Sequence, residues 1–155
     1  MRPGEHLRYL VLAVQREGNR RWAATLKPLG LTPAWAEAMS VLDMREPLTI
    51  RELGLLLVCE GEHPSRLVTR MVAAGLLTSE SAPEDERARW IRLTPAARAL
   101  LPAVREAEAE LHSAIERGVD TSDLDCCRAV LEGLIAGLPA AAALQRRRNP
   151  DGAHP

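Results

Sequence analysis

Phenylalanine is absent from this chain, tyrosine occurs once, and aromatic residues make up only 3% of it. A core of stacked rings is therefore excluded. With 46% apolar residues, the interior has to be built from leucine, alanine and valine. Long apolar runs are missing as well, and none approaches the roughly 20 residues that a membrane-spanning helix requires. Arg2, Glu5 and Arg8 interrupt the stretch where a secretion signal would place its apolar block. The chain is expected to be soluble and cytoplasmic, with no membrane partner. Cysteine is scarce: Cys59, Cys126 and Cys127 form no CxxC pair and no Cys/His set with zinc spacing. They read as buried thiols in a reducing compartment. Nothing near Cys59 marks it as a thiol of lowered pKa suited to redox sensing.

A dominant charge is lacking too. The net charge of −1 argues, taken alone, against a nucleic-acid binder. Its distribution is uneven: residues 1–45 carry seven Lys/Arg against four Asp/Glu, and residues 46–92 carry six against eight. Residues 93–138 carry four against eight, and the tail from 139 carries three arginines against one aspartate. A DNA-binding face here has to come from the arrangement of charges, not their number. Catalytic signatures are also missing. There is no nucleophile motif, no metal set and no glycine-rich phosphate loop. Glu106 and Glu110, at i,i+4, read as a solvated helix face. No enzyme activity and no cofactor are expected. His6, His63, His112 and His154 are scattered and read as surface residues, and Trp22 and Trp35 as core residues before ligand-stacking ones.

What is present is helix, in regular instalments. A chain of 155 residues fits one domain. Leu7, Leu10, Val11, Val14, Gly18, Trp22 and Leu26 form one stripe over about 5–27, closed by Pro28 and Gly30. Thr32 and Pro33 give the N-cap and first position of a second helix. Thr49 and Glu52 form a capping box for a third. A fourth helix starts near Pro64 and stops at Gly75. Then come two β-leaning runs, "GLLTSES" and "RWIRL", flanking the charged stretch "APEDERA", which together predict a hairpin. Of Trp90 and Ile91, neighbours on the second run, one must pack inward. Thr94 and Pro95 open a long helix to about 117, in which Pro102 is expected to cause a kink or a second start. A last helix covers about 122–138.

Short helices followed by a hairpin make a winged helix-turn-helix, and the long flanking helices carry apolar seams that call for a partner chain. The segments "LGLTPAWAEAMSVL", "LTIRELGLLL", "PSRLVTRMVAAGLL" and "APEDERARWIRLTPAARALL" follow one another as in MarR-type winged-helix regulators, which the chain resembles over about residues 26–105. The resemblance implies a mainly α fold of about six helices with a two- or three-stranded β-wing. The expected organisation is a DNA-binding lobe at 30–93, a helical dimerisation region from 1–29 and 95–140, and a flexible basic tail at 141–155. It further implies a homodimer that binds pseudo-palindromic double-stranded DNA as a repressor and is released by a small anionic or phenolic effector. Two departures stand out. Glu60 and Glu62 place negative charge just before the reading helix. The peroxide-sensing branch's cysteine in the first helix and the zinc-sensing branch's histidine cluster are both missing.

On the fourth helix, Pro64, Leu67, Val68, Met71, Val72 and Ala74 share one face at 100° per residue, and Ser65, Arg66, Thr69, Arg70 and Ala73 the other. The polar face is the expected major-groove reader, because arginine can bridge guanine O6 and N7. Thr49 and Arg51 are expected at phosphates. Arg87, near the hairpin tip, is expected to enter the minor groove, and the resemblance gives Asp85 the task of orienting it. Arg89 completes the set on the hairpin. The acidic balance of residues 46–92 leaves one rival, a winged-helix dimer that acts by binding another protein.

Overall fold

The computed structural model describes residues 1–58, 63–81 and 88–148. Helix α1 spans Pro3–Leu26, and a 3₁₀ turn at Lys27–Leu29 leads to α2, Pro33–Arg45. Strand β1 is Leu48–Thr49, α3 is Ile50–Leu56 and α4 is Pro64–Ala73. Strands β2, Leu77–Ser81, and β3, Arg89–Leu93, precede α5, Pro95–Gly118, α6, Thr121–Ile135, and α7, Pro139–Arg148.

The start signals work as written in the sequence. Thr32 Oγ1 accepts the Trp35 N–H at 3.2 Å, and Thr94 Oγ1 accepts that of Ala97 at 3.1 Å. Each satisfies an amide that a helix start leaves without an intrahelical partner. Helix α4 ends in a left-handed glycine, Gly75 at φ 74°, with the Leu76 N–H bonded to the Met71 carbonyl at 2.9 Å. Thr94 donates to the Gly75 carbonyl at 2.7 Å, so the end of α4 is tied to the start of α5.

The sheet is antiparallel in the order β1-β3-β2. Ile91 is the inward neighbour: it is fully buried, whereas Trp90 is half-buried. Leu26, Met39, Leu42, Leu53, Leu67, Met71 and Val104 complete an aliphatic core drawn from α1 to α5. Helix α5 is fixed to α2 by a Ser40–Glu108 hydrogen bond of 3.0 Å and an Arg105–Asp43 ion pair. Glu46 accepts from the Leu93 N–H at 2.9 Å and pairs with Arg98, joining α2, β3 and α5.

Three expectations need correction. Of the two outcomes expected at Pro102, the second start is absent: α5 is one element from Pro95 to Gly118. The ring lies on the exposed face, while Leu101 and Val104 hold the helix on the core. The basic tail expected from 141 is helical through Arg148, because Ala143 is buried and Arg147 is ion-paired to Glu37. Cys126 and Cys127 are exposed in the single chain, since α6 buries none of its residues; Cys59 lies outside the described residues. Leu7, Leu10, Val11 and Val14 of α1 are likewise exposed. Among the described residues, no helix is long and apolar enough to cross a membrane.

The approach of α3 to α4 depends on one glycine. A Cβ at Gly54 would lie 2.8 Å from Pro64 Cγ, inside any normal contact. The proline ring is stiff, so the helices themselves would have to move. Gly54→Ala is expected to cost about 1–3 kcal/mol of stability, read by denaturant unfolding, despite alanine's better helix propensity. A neutral or stabilising effect would show that the two helices are free to part.

Candidate nucleic-acid interface

Helix α4 rests on the core through Leu67, Val68 and Met71, and turns Ser65, Arg66, Thr69 and Arg70 outward. The buried stripe is narrower than the wheel suggests. Val72 is 38% exposed and Ala74 is exposed too. His63 caps the helix, its Nδ1 accepting the Ser65 N–H at 3.4 Å.

The polar residues are not equivalent. Arg66 is exposed; its backbone N–H donates to the His63 carbonyl at 2.9 Å, and its guanidinium has no hydrogen-bond partner among the described residues. The Arg70 guanidinium carbon lies 5.7 Å from the centre of the Trp35 ring, a cation–π distance that holds it toward α2. Thr69 donates its hydroxyl proton to the Ser65 carbonyl at 2.8 Å. Its oxygen can still accept from a base amine, and its methyl can meet a thymine methyl.

Thr49 is the capping-box residue of α3. Its Oγ1 accepts from the Glu52 N–H at 3.2 Å and its hydroxyl donates to the Glu52 carboxylate at 2.8 Å. The hydroxyl expected at a phosphate is thus engaged within the chain, while Arg51 on α3 is exposed.

The hairpin is present, with β2 and β3 in register from Leu77 opposite Leu93 to Ser81 opposite Arg89. Arg89 folds back on its neighbour strand: Nε donates to Ser79 Oγ at 2.8 Å and a terminal nitrogen to the Ser79 carbonyl at 2.7 Å. It therefore braces the wing. Asp85 and Arg87, with Glu60 and Glu62, lie outside the described residues.

Two features escaped the sequence reading. Trp22, Val41, Met44, Glu108, Leu111 and His112 line a cavity of about 230 Å³ between the lobe and the long helices. Glu37 on α2 holds both Arg147 and the Val58 N–H. No local spacing signals a pair 110 positions apart. Among the described residues, no group of three or more His, Cys, Asp or Glu is arranged to hold a metal.

Residues 31–97 match the family described as "Winged helix DNA-binding domain". The chain is 30% identical over 94 residues to the organic hydroperoxide resistance transcriptional regulator of Bacillus subtilis, a match spanning 61% of this chain and 64% of that one. Its fold is similar to a MarR-family transcriptional regulator from Silicibacter pomeroyi, with TM-score 0.64, 25% identity, and 84% and 88% of the two chains covered. It is also similar to a mutant MarR from E. coli complexed with operator DNA, with TM-score 0.74, 20% identity, and 83% and 93% covered. Residues 31–97 thus carry the sequence pattern of a winged helix DNA-binding domain, and the chain around them has the fold of the MarR-family regulators to which it is similar.

Proposed function

We propose that this chain is a transcriptional repressor that binds pseudo-palindromic DNA as a homodimer. The observation that carries the reading is α4, seated on the core by three apolar residues with Arg66 and its polar neighbours turned outward beside a paired β-wing. In this reading Ser65, Arg66 and Thr69 face base edges, Arg51 faces phosphate, and Arg87, oriented by Asp85, enters the minor groove. Arg70 reaches DNA only by leaving Trp35. The solved MarR–operator complex, a structure of the same fold, supports this mode of docking.

The 230 Å³ cavity suits a single-ring effector. Glu37 on its wall is paired with Arg147, which leaves Glu108 as the carboxylate that disfavours an anion, while Glu108 or His112 can hydrogen-bond a phenolic hydroxyl. Trp22 would then be the ring that such a ligand touches. Helix α1 contains no cysteine, so the peroxide response named for the Bacillus subtilis relative is not carried over.

Gel shift and footprinting with DNA beside the chain's own gene test the reading. The expected result is a symmetric footprint with half-sites about one helical turn apart, and affinity that falls steeply with salt. Weak or absent DNA binding would favour the rival reading, a protein-interaction module, which the acidic balance of residues 46–92 motivates.

A further inference from the structure

We propose that α7 acts as a clasp on the helix-turn-helix, with Arg147 and Glu37 as positioning residues for sequence reading by α4. The proposal rests on the reading of α4 given above. Helix α3 ends at Leu56, and the final carbonyls of a helix have no intrahelical donors. Here α7 supplies them. Arg147 Nε donates to the Leu56 carbonyl at 2.8 Å, and Arg146 approaches the Leu55 carbonyl at 3.5 Å. The other arm of Arg147 pairs with Glu37, whose side chain is only 9% exposed. The same Glu37 oxygen accepts the Val58 N–H at 2.8 Å. In return, Arg45 of α2 donates to the Arg146 carbonyl near the end of α7.

One carboxylate and one guanidinium therefore hold the end of α3 and the first residues of the connection to α4. Without Arg147, the nearly buried Glu37 carboxylate would lose this ion pair, and the Val58 contact would loosen as water reached it. A small rotation of α4 leaves phosphate contacts largely intact but disrupts base contacts, which need defined donor and acceptor positions. The clasp is thus expected to govern discrimination more than overall affinity.

The test uses the full chain with Arg147→Ala and Arg147→Lys. Its readouts are dimer mass, the ratio of operator to random-DNA affinity, and hydrogen exchange at the Val58 amide. Losing a charged hydrogen-bonded contact of this kind should lower the affinity ratio about tenfold. Random-DNA affinity and dimer mass should stay unchanged, while Val58 exchanges faster. Lysine should restore part of the ratio, since an ammonium can pair with Glu37 but lacks the fork that also reaches Leu56. An unchanged ratio, even with a lower Tm, would overturn the proposal and leave Arg147 a structural tie. Equal loss on both DNAs would make it a phosphate contact and overturn the proposal too. If wild-type protein shows no operator preference, it is the reading of α4 that fails. The Val58 exchange, which needs no DNA, then decides separately whether Arg147 holds the turn.

Discussion

Leu131→Glu is expected to turn the protein into monomers and to reduce operator affinity by about 10²–10⁴, the range that joining two binding lobes contributes through effective concentration. No residue of α6 is fully buried against its own chain. Leu131 is 39% exposed, Leu134 58% and Leu138 53%, and α1 adds Leu10 at 49% and Val14 at 73%. A soluble monomer does not leave so continuous an apolar surface on two long helices. A two-fold interface covers both with one set of contacts and places residue 131 there twice. Two carboxylates at such a seam are desolvated without cations. Light scattering at micromolar concentration, followed by footprinting, reads the outcome. A monomeric wild type, or a Leu131→Glu protein that remains dimeric with full affinity, would refute the assembly proposed here.

Arg66→Ala should cost about 1–3 kcal/mol of operator binding and relax preference at one base position in each half-site. The structure makes Arg66 the cleaner probe of the two arginines. Arg70→Ala would also remove the stack on Trp35, so its effect mixes recognition with the packing of α4 on α2. Affinity measured on operator variants and on random DNA separates the roles. Equal loss on every sequence would reduce Arg66 to a phosphate contact.

Features encoded within a few residues of each other were legible in the sequence. The Thr-Pro starts at 32 and 94, the Thr49–Glu52 box, the stop at Gly75 and the alternation of Ile91 with Trp90 each follow from local backbone chemistry, and each is found. The polar face of α4 follows in the same way from helical period. What was not legible depends on partners remote in the chain. Nothing around Arg89 announces that Ser79 captures it, and nothing around Arg147 points to Glu37. Thr49 shows a subtler gap. The motif that identifies it as a cap is also what engages the hydroxyl expected at DNA. The helical tail was missed because three arginines in a row suggest a solvated end, and only the surfaces of α2, α3 and α6 reveal their acceptors.

The three tryptophans occupy three distinct environments: Trp22 on the cavity wall, Trp35 beneath the Arg70 guanidinium, and Trp90 half-buried on the middle strand of the wing sheet. With no phenylalanine and a single tyrosine, almost all near-ultraviolet emission of the protein comes from these indoles. Intrinsic fluorescence thus serves as a built-in set of reporters. A change in Trp22 emission would register a ligand in the cavity, a change at Trp35 would register Arg70 leaving for a DNA groove, and Trp90 would follow the wing. Versions of the chain retaining one indole each would let effector binding, recognition-helix engagement and wing docking be timed separately in a single stopped-flow series.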